Sequence, residues 1–255
     1  MTRSVNISEH IRPILAAIRT VPIHPKFGDD SGPIVPFVTV SREVGAGSRS
    51  MATALVDALN HADPGEQLWT CWDRELVEKV AADHHLSRQL VESLEVRDHS
   101  WLGDFFASLT TSNDPAMADD MKVFGGVATT VRAMASTGRV VIVGRGGVLL
   151  TRKLPGGVHV RLVAPLADRI AHIAQTLNLP TAKAAEHVRE MTRRRDAFIH
   201  RYWPGETLAP ERFTVTLNTA AVSTEALVRV IVELVRDVQH GGGTAKRPQE
   251  HHAGA

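Results

Sequence analysis

The chain has 255 residues, 43% of them hydrophobic, enough to bury the core of one large domain or two small ones, which excludes disorder throughout. With 29 basic against 28 acidic residues the net charge is +1, so no global field draws the protein towards nucleic acid or an anionic membrane, and any anion site must be local. A single cysteine, Cys71, permits no internal disulfide, residues 1–30 hold no signal-like apolar run, and nothing approaches the ~18 apolar residues of a membrane span; the expectation is a cytoplasmic protein.

Residues 1–33 read as an N-terminal extension: a short helix over 8–19 with Ile11, Ile14, Leu15 and Ile18, then a Pro/Gly/Asp-rich linker over 22–33. The domain proper is expected over 34–240. Its first strand, about 37–40, runs into Glu43-Val44-Gly45-Ala46-Gly47-Ser48-Arg49-Ser50 and then a helix with Met51, Leu55 and Leu59 on one face. An apolar run over 68–72 ends at Asp73-Arg74-Glu75, and helical patterns follow from Leu76 and over 87–97, the latter with Ser87 as N-cap. Asn113-Asp114-Pro115 breaks the chain before a long helical stretch to Thr137, in which Gly125-Gly126 is a weak point and after which Gly138 is a natural stop.

The run over 139–143 has no polar alternation after Arg139, as expected for a parallel strand covered by helices on both faces. Gly144-Arg145-Gly146 follows it. A further strand over 158–163 leads through Pro165 into a helix bearing Leu166, Ile170, Ile173 and Leu177; residues 181–202 form a basic helix or helix pair; a last strand covers 214–217 and a last amphipathic helix 223–238. The tail, 241–255, is glycine-rich, polar and expected to be disordered. Five strands separated by helices predict a three-layer α/β fold.

Strand, glycine-bearing loop, helix is the layout of a phosphate cradle, because glycine lets backbone N–H groups approach an anion and the helix N-terminus adds unpaired donors. An ordinary strand-to-helix turn and a dinucleotide loop are the other uses of such a stretch. Ser48 stands where a Walker lysine would, Arg42 where its first glycine would, and Arg49 is the nearest cation. Ligands in an open parallel sheet sit beyond the carboxyl ends of the strands. Those ends deliver Gly45, Ala46, Gly47, Ser48, Arg49 and Ser50; then Asp73 and Arg74; then Arg145. Guanidinium forks beside a glycine loop suit a multiply phosphorylated ligand, whereas taken singly Arg74 and Arg145 are equally at home as surface charges. The cluster Arg189, Arg193, Arg194, Arg195 and Arg201 is either a solvated face or a basic lid over the strand ends. With 5% aromatic residues, nucleic-acid stacking has little support. No H-E-x-x-H, thiolate zinc set or G-x-S-x-G elbow occurs.

These stretches together resemble the cytidylate kinase-like family of P-loop nucleoside monophosphate kinases. The resemblance is carried by Val38 through Arg49, Trp72-Asp73-Arg74-Glu75-Leu76, Val141 through Gly146, Arg195 through Trp203, and Leu217-Asn218-Thr219, in that order. It implies a P-loop NTPase core of five parallel strands, a helical insertion binding a nucleoside monophosphate, and an arginine-rich lid. It also implies transfer of the γ-phosphoryl of ATP, with Mg2+, to a CMP-like or similar small acceptor. By position, Gly45 to Ser50 would hold the donor phosphates, Ser50 the magnesium, Asp73, Arg74 and Arg145 the acceptor, and Arg49, Arg195 and Arg201 would act on the transferring group. Gly146 stands where cytidylate kinases carry a base-reading aspartate, and Val143 where they carry an acid. The alternative is a nucleotide-binding regulatory protein with a degenerate loop. Nucleotides are the expected partners, with no nucleic acid and no membrane.

Overall fold

The computed structural model describes residues 34–47, 49–64, 67–73, 77, 115–144 and 146–241. The expected helices over 8–19 and 87–97, the linker over 22–33 and the tail beyond 241 lie outside them. Five strands, β1 (Phe37–Arg42), β2 (Thr70–Trp72), β3 (Val140–Val143), β4 (Gly157–Val163) and β5 (Val215–Asn218), form one sheet in the order β2-β3-β1-β4-β5. Every pairing is parallel, with Val40 opposite Val143 and Val160. Among the described residues the α-helices are α1 (Arg49–Ala62), α2 (Pro115–Thr137), α3 (Gly147–Thr151), α4 (Leu166–Leu177), α5 (Thr181–Tyr202) and α6 (Thr224–Gln239).

One face of the sheet, through Val38, Val40, Val141, Val160 and Leu162, packs on Met51, Leu55 and Leu59 of α1 and on Leu227, Ile231 and Val235 of α6. The i, i+4, i+8 spacing on α1 puts its three side chains in one stripe. Phe37, Trp72, Val140 and Ile142 face the other way, onto Phe124, Val127, Val131 and Met134 of α2. A sheet buried on both faces accounts for the unbroken Val140-Val141-Ile142-Val143 run, all four of them buried.

The structure sharpens the sequence reading in four places. Gly125-Gly126 does not interrupt α2, which runs unbroken from Pro115 to Thr137. Gly125 and Ala128, one turn on, are both buried, and packing outweighs the glycine propensity cost of about 1 kcal/mol. Of the helix or helix pair expected over 181–202, the structure has the single helix. Leu68 is 59% exposed and precedes β2 instead of joining it. Leu166 and Leu177, spaced like core residues, are 52% and 46% exposed, because α4 packs mainly on α5 and not on the sheet.

From β1 the chain moves towards β2, and from β4 towards β5. The connections leave in opposite directions, so the crevice opens beyond the carboxyl ends of β1 and β4.

Candidate functional site

The loop after β1 occupies that crevice. Glu43 extends the ladder, its N–H donating to Leu162 O at 3.0 Å, and Ala46 N–H closes a turn on Glu43 O at 3.2 Å. Gly45 and Gly47 have φ of +85° and +61°, the left-handed region in which a side chain is strained. Val44 and Ala46 are buried beneath the loop, and α1 begins at Arg49. Gly45 has a second reason to be glycine: a Cβ there would lie 2.5 Å from Arg169 O.

Arg169, on the first turns of α4, clasps the same loop. Its Nε donates to Ala164 O at 3.0 Å and lies 3.4 Å from Glu43 Oε2, and its Nη1 donates to Val44 O at 3.4 Å. The Glu43 carboxylate also accepts from Ala164 N–H at 3.2 Å. The end of β4, the start of α4 and the loop are therefore tied into one unit. Opposite, the Arg195 guanidinium of α5 donates to Arg42 O at 2.9 Å.

Arg42 itself turns along the strand ends: its Nη1 lies 2.8 Å from where a Cβ on Gly144 would stand. Farther along the row of strand ends, burial first, then the Asp73 carboxylate, push the Cys71 thiol up to about 11, against the opposing pull of the Arg42 guanidinium. Arg42 and Asp73 thus bring opposite charges to the edge of the sheet where β2 and β3 finish.

Gly144 and Gly146 frame the turn after β3 with φ of +86° and +66°, and Gly147 N–H closes it on Gly144 O at 3.0 Å. The Trp203 indole sits directly on Gly146, with Cζ3 2.7 Å from the Cβ position and Cη2 nearer still. Any side chain at position 146 would collide with it. Trp203 belongs to an aromatic cluster in which Phe124 of α2 stacks on Tyr202 at 3.9 Å between centroids and meets Trp203 edge-on at 5.3 Å. The carboxyl end of α5 is thereby anchored to α2, and its middle reaches the loop through Arg195.

Of the candidate residues, Gly45, Ala46, Gly47 and Arg195 come together at the crevice. Asp73 lies at the β2 end, and Arg201 is exposed, with its guanidinium 5.8 Å from the Tyr202 ring. Ser48, Arg74 and Arg145 lie outside the described residues, as do the side chains of Arg49 and Ser50. Arg193 and Arg194 pair with Glu190 on the outer face of α5 and hold its carboxyl below the usual range. Sequence reasoning named Arg42, Glu43 and Trp203 without giving them a role at the site, and passed over Arg169 and His172. For Arg169 and His172 a signal existed: both fall on the first turns after a strand's carboxyl end.

Among the described residues no group of three or more His, Cys, Asp or Glu side chains is placed to hold a metal, and no helix is long and apolar enough to cross a membrane. A family model described as the cytidylate kinase-like family matches residues 37–221. A crystal structure of an uncharacterized protein from Eubacterium ventriosum is similar with a TM-score of 0.57, 14% identity, and coverage of 80% of this chain and 99% of that one. A crystal structure from Thermus thermophilus gives 0.43, 17%, 80% and 97%. Over 93 residues the chain is 28% identical to a uronate isomerase of Corynebacterium glutamicum, a match covering 36% of this chain and only 18% of that protein.

Proposed function

The chain belongs to the cytidylate kinase-like family, and from that premise we propose that it is a phosphotransferase that moves the γ-phosphoryl group of ATP, with Mg2+, to a nucleoside monophosphate or a similar small acceptor. The observation that carries the reading is the loop over 43–47, set at the crevice of a parallel sheet between Arg169 and Arg195. The donor set suits a polyphosphate: two glycines in left-handed conformation lead into the N-terminus of a 14-residue helix, and cations approach from two sides. A magnesium ion shared between phosphate oxygens and a hydroxyl needs no carboxylate cluster of its own. In this reading Gly45 to Ser50 seat the donor phosphates, and Ser50 would hold the metal.

Magnesium-bound ATP supplies the activated phosphoryl group. The protein's part is positioning and charge neutralisation, without a covalent intermediate. Arg195, fixed by its bond to Arg42 O, would face the charge spread over the transferring group, together with Arg49 and Arg201. Asp73, Arg74 and Arg145 would orient the acceptor. A nucleotide-binding regulatory role is the second reading. It is favoured by the apolar, buried Val143 and by Trp203 covering Gly146, which leave both positions without an acid.

The test is ADP release from ATP and Mg2+ in the presence of CMP, dCMP, UMP, AMP, GMP and a panel of sugar and hydroxy-acid acceptors, against an acceptor-free control. ADP formation that depends on one acceptor supports transfer. ATP binding with no ADP above the control supports the regulatory reading.

A further inference from the structure

Helix α4 sends two side chains towards the loop after β1, and they are not equivalent. Arg169 and His172 are three residues apart on a helix, hence on one face. Arg169 is 14% exposed and is occupied by Ala164, Glu43 and Val44, so its work is to hold the loop's shape. His172 is exposed and stands against Gly47, two positions beyond the Gly45 that Arg169 touches. Its Cε1 and Nε2 both lie 3.9 Å from the Cβ position of Gly47, nearer than any other side chain of the described residues beyond its chain neighbours. The polar edge of the imidazole thus faces the second glycine of the loop, immediately before the N-terminus of α1. Among the described residues the ring makes a long contact with Thr176 Oγ1, 3.5 Å from Nε2.

His159 shows what a structural histidine looks like in this chain. That ring is buried, bonded through Nδ1 to Thr39 Oγ1 at 2.8 Å and packed edge-on against Phe37. His172 has no comparable packing and adds little to stability where it stands.

We infer that His172 is a ligand-contacting residue of the loop, its imidazole N–H donating to an oxygen of a di- or triphosphate seated over Gly47. A lysine at position 48 would have sent a donor to that anion from within the loop, and the chain has Ser48 there. A donor from α4 approaches from the opposite wall of the crevice, on a helix that Arg169 already ties to the loop. The inference rests on the phosphate-binding half of the proposed function, not on phosphoryl transfer.

The experiment uses inorganic tripolyphosphate with the full chain. The His172 imidazole resonance is identified by its loss in His172→Ala and followed on titration, and affinity is measured by calorimetry for wild type, His172→Ala and His172→Gln. The expected result is a saturable shift of that resonance. Affinity should fall roughly tenfold in His172→Ala, the size of one hydrogen bond to a charged group, with partial recovery in the glutamine variant, which keeps an N–H donor. Melting temperatures of all three proteins should agree. An unshifted resonance, undiminished affinity in His172→Ala, no binding by wild type, or a melting temperature that falls with the affinity would each overturn it. Acceptor-dependent ADP formation with an unshifted resonance would overturn this inference and leave the transfer reading standing. A shifted resonance with no ADP formation would support this inference and count against transfer.

Discussion

The Arg195 guanidinium donates from Nη1 to the main-chain oxygen of Arg42 at 2.9 Å, so the basic helix α5 is attached to the last residue of the central strand. A cation held at that point is fixed before any ligand arrives, which is the condition under which a charge stabilises a transition state without reorganising. Arg195→Ala should therefore lower kcat by roughly a hundredfold while changing the ATP KM by less than about threefold. Steady-state kinetics check this, and equal losses in the two constants would contradict it. Arg195→Lys should recover little, since an ammonium does not reproduce the planar fork.

Gly146 answers to two constraints, its φ of +66° and the indole of Trp203. Gly146→Asp should cost about 2–4 kcal/mol, combining left-handed strain with overpacking. In a Trp203→Ala background, Gly146→Ala should cost only the backbone part, about 1–2 kcal/mol. Urea unfolding of the single and double variants measures both. A Gly146→Asp protein as stable as wild type would show that the indole is not held there.

His159 makes stability depend on acid. Burial lowers its pKa from 6.5 to about 4, so the folded state resists the proton that the unfolded state accepts. Its contribution is fully present above pH 6.5 and is lost as pH falls towards 4, a loss of about 3 kcal/mol at most. Denaturant titrations across that window should show stability falling with pH. His159→Gln, which keeps a partner for Thr39, should flatten the curve.

Cys71 should be a sluggish thiol. With its pKa pushed up to about 11 by burial and by Asp73, alkylation at pH 8 should be about a hundredfold slower than in the urea-unfolded chain. Rapid labelling of the folded protein would contradict the placement of Cys71 between Asp73 and the core.

Local pattern carried most of the fold. The four β-branched residues Val140 to Val143 announced a buried parallel strand, Gly138 with φ of +72° ends α2 where expected, and Ser223 caps α6 by accepting from Ala226 N–H at 3.3 Å. The loop over 43–47 was legible as a tight turn because its two glycines allow the left-handed φ of +85° and +61° found there. What escaped is long-range. Trp203 covers a glycine 57 positions earlier in the chain, Arg169 grips a loop 125 positions away through Val44, and Leu166 and Leu177 keep a core-like spacing yet stand exposed on a helix packed mainly on α5. Periodicity reports that a face is apolar; it does not report what covers it.

The fate of the γ-phosphoryl group separates phosphoryl transfer from nucleotide binding most directly. Purified protein would be incubated with γ-labelled ATP, Mg2+ and each acceptor in turn, and the label followed by chromatography. Label is expected in one phosphorylated acceptor, at a rate far above that of Arg195→Ala protein. Label that stays in ATP with every acceptor, under conditions where ATP demonstrably binds, would contradict transfer and leave a nucleotide-binding protein.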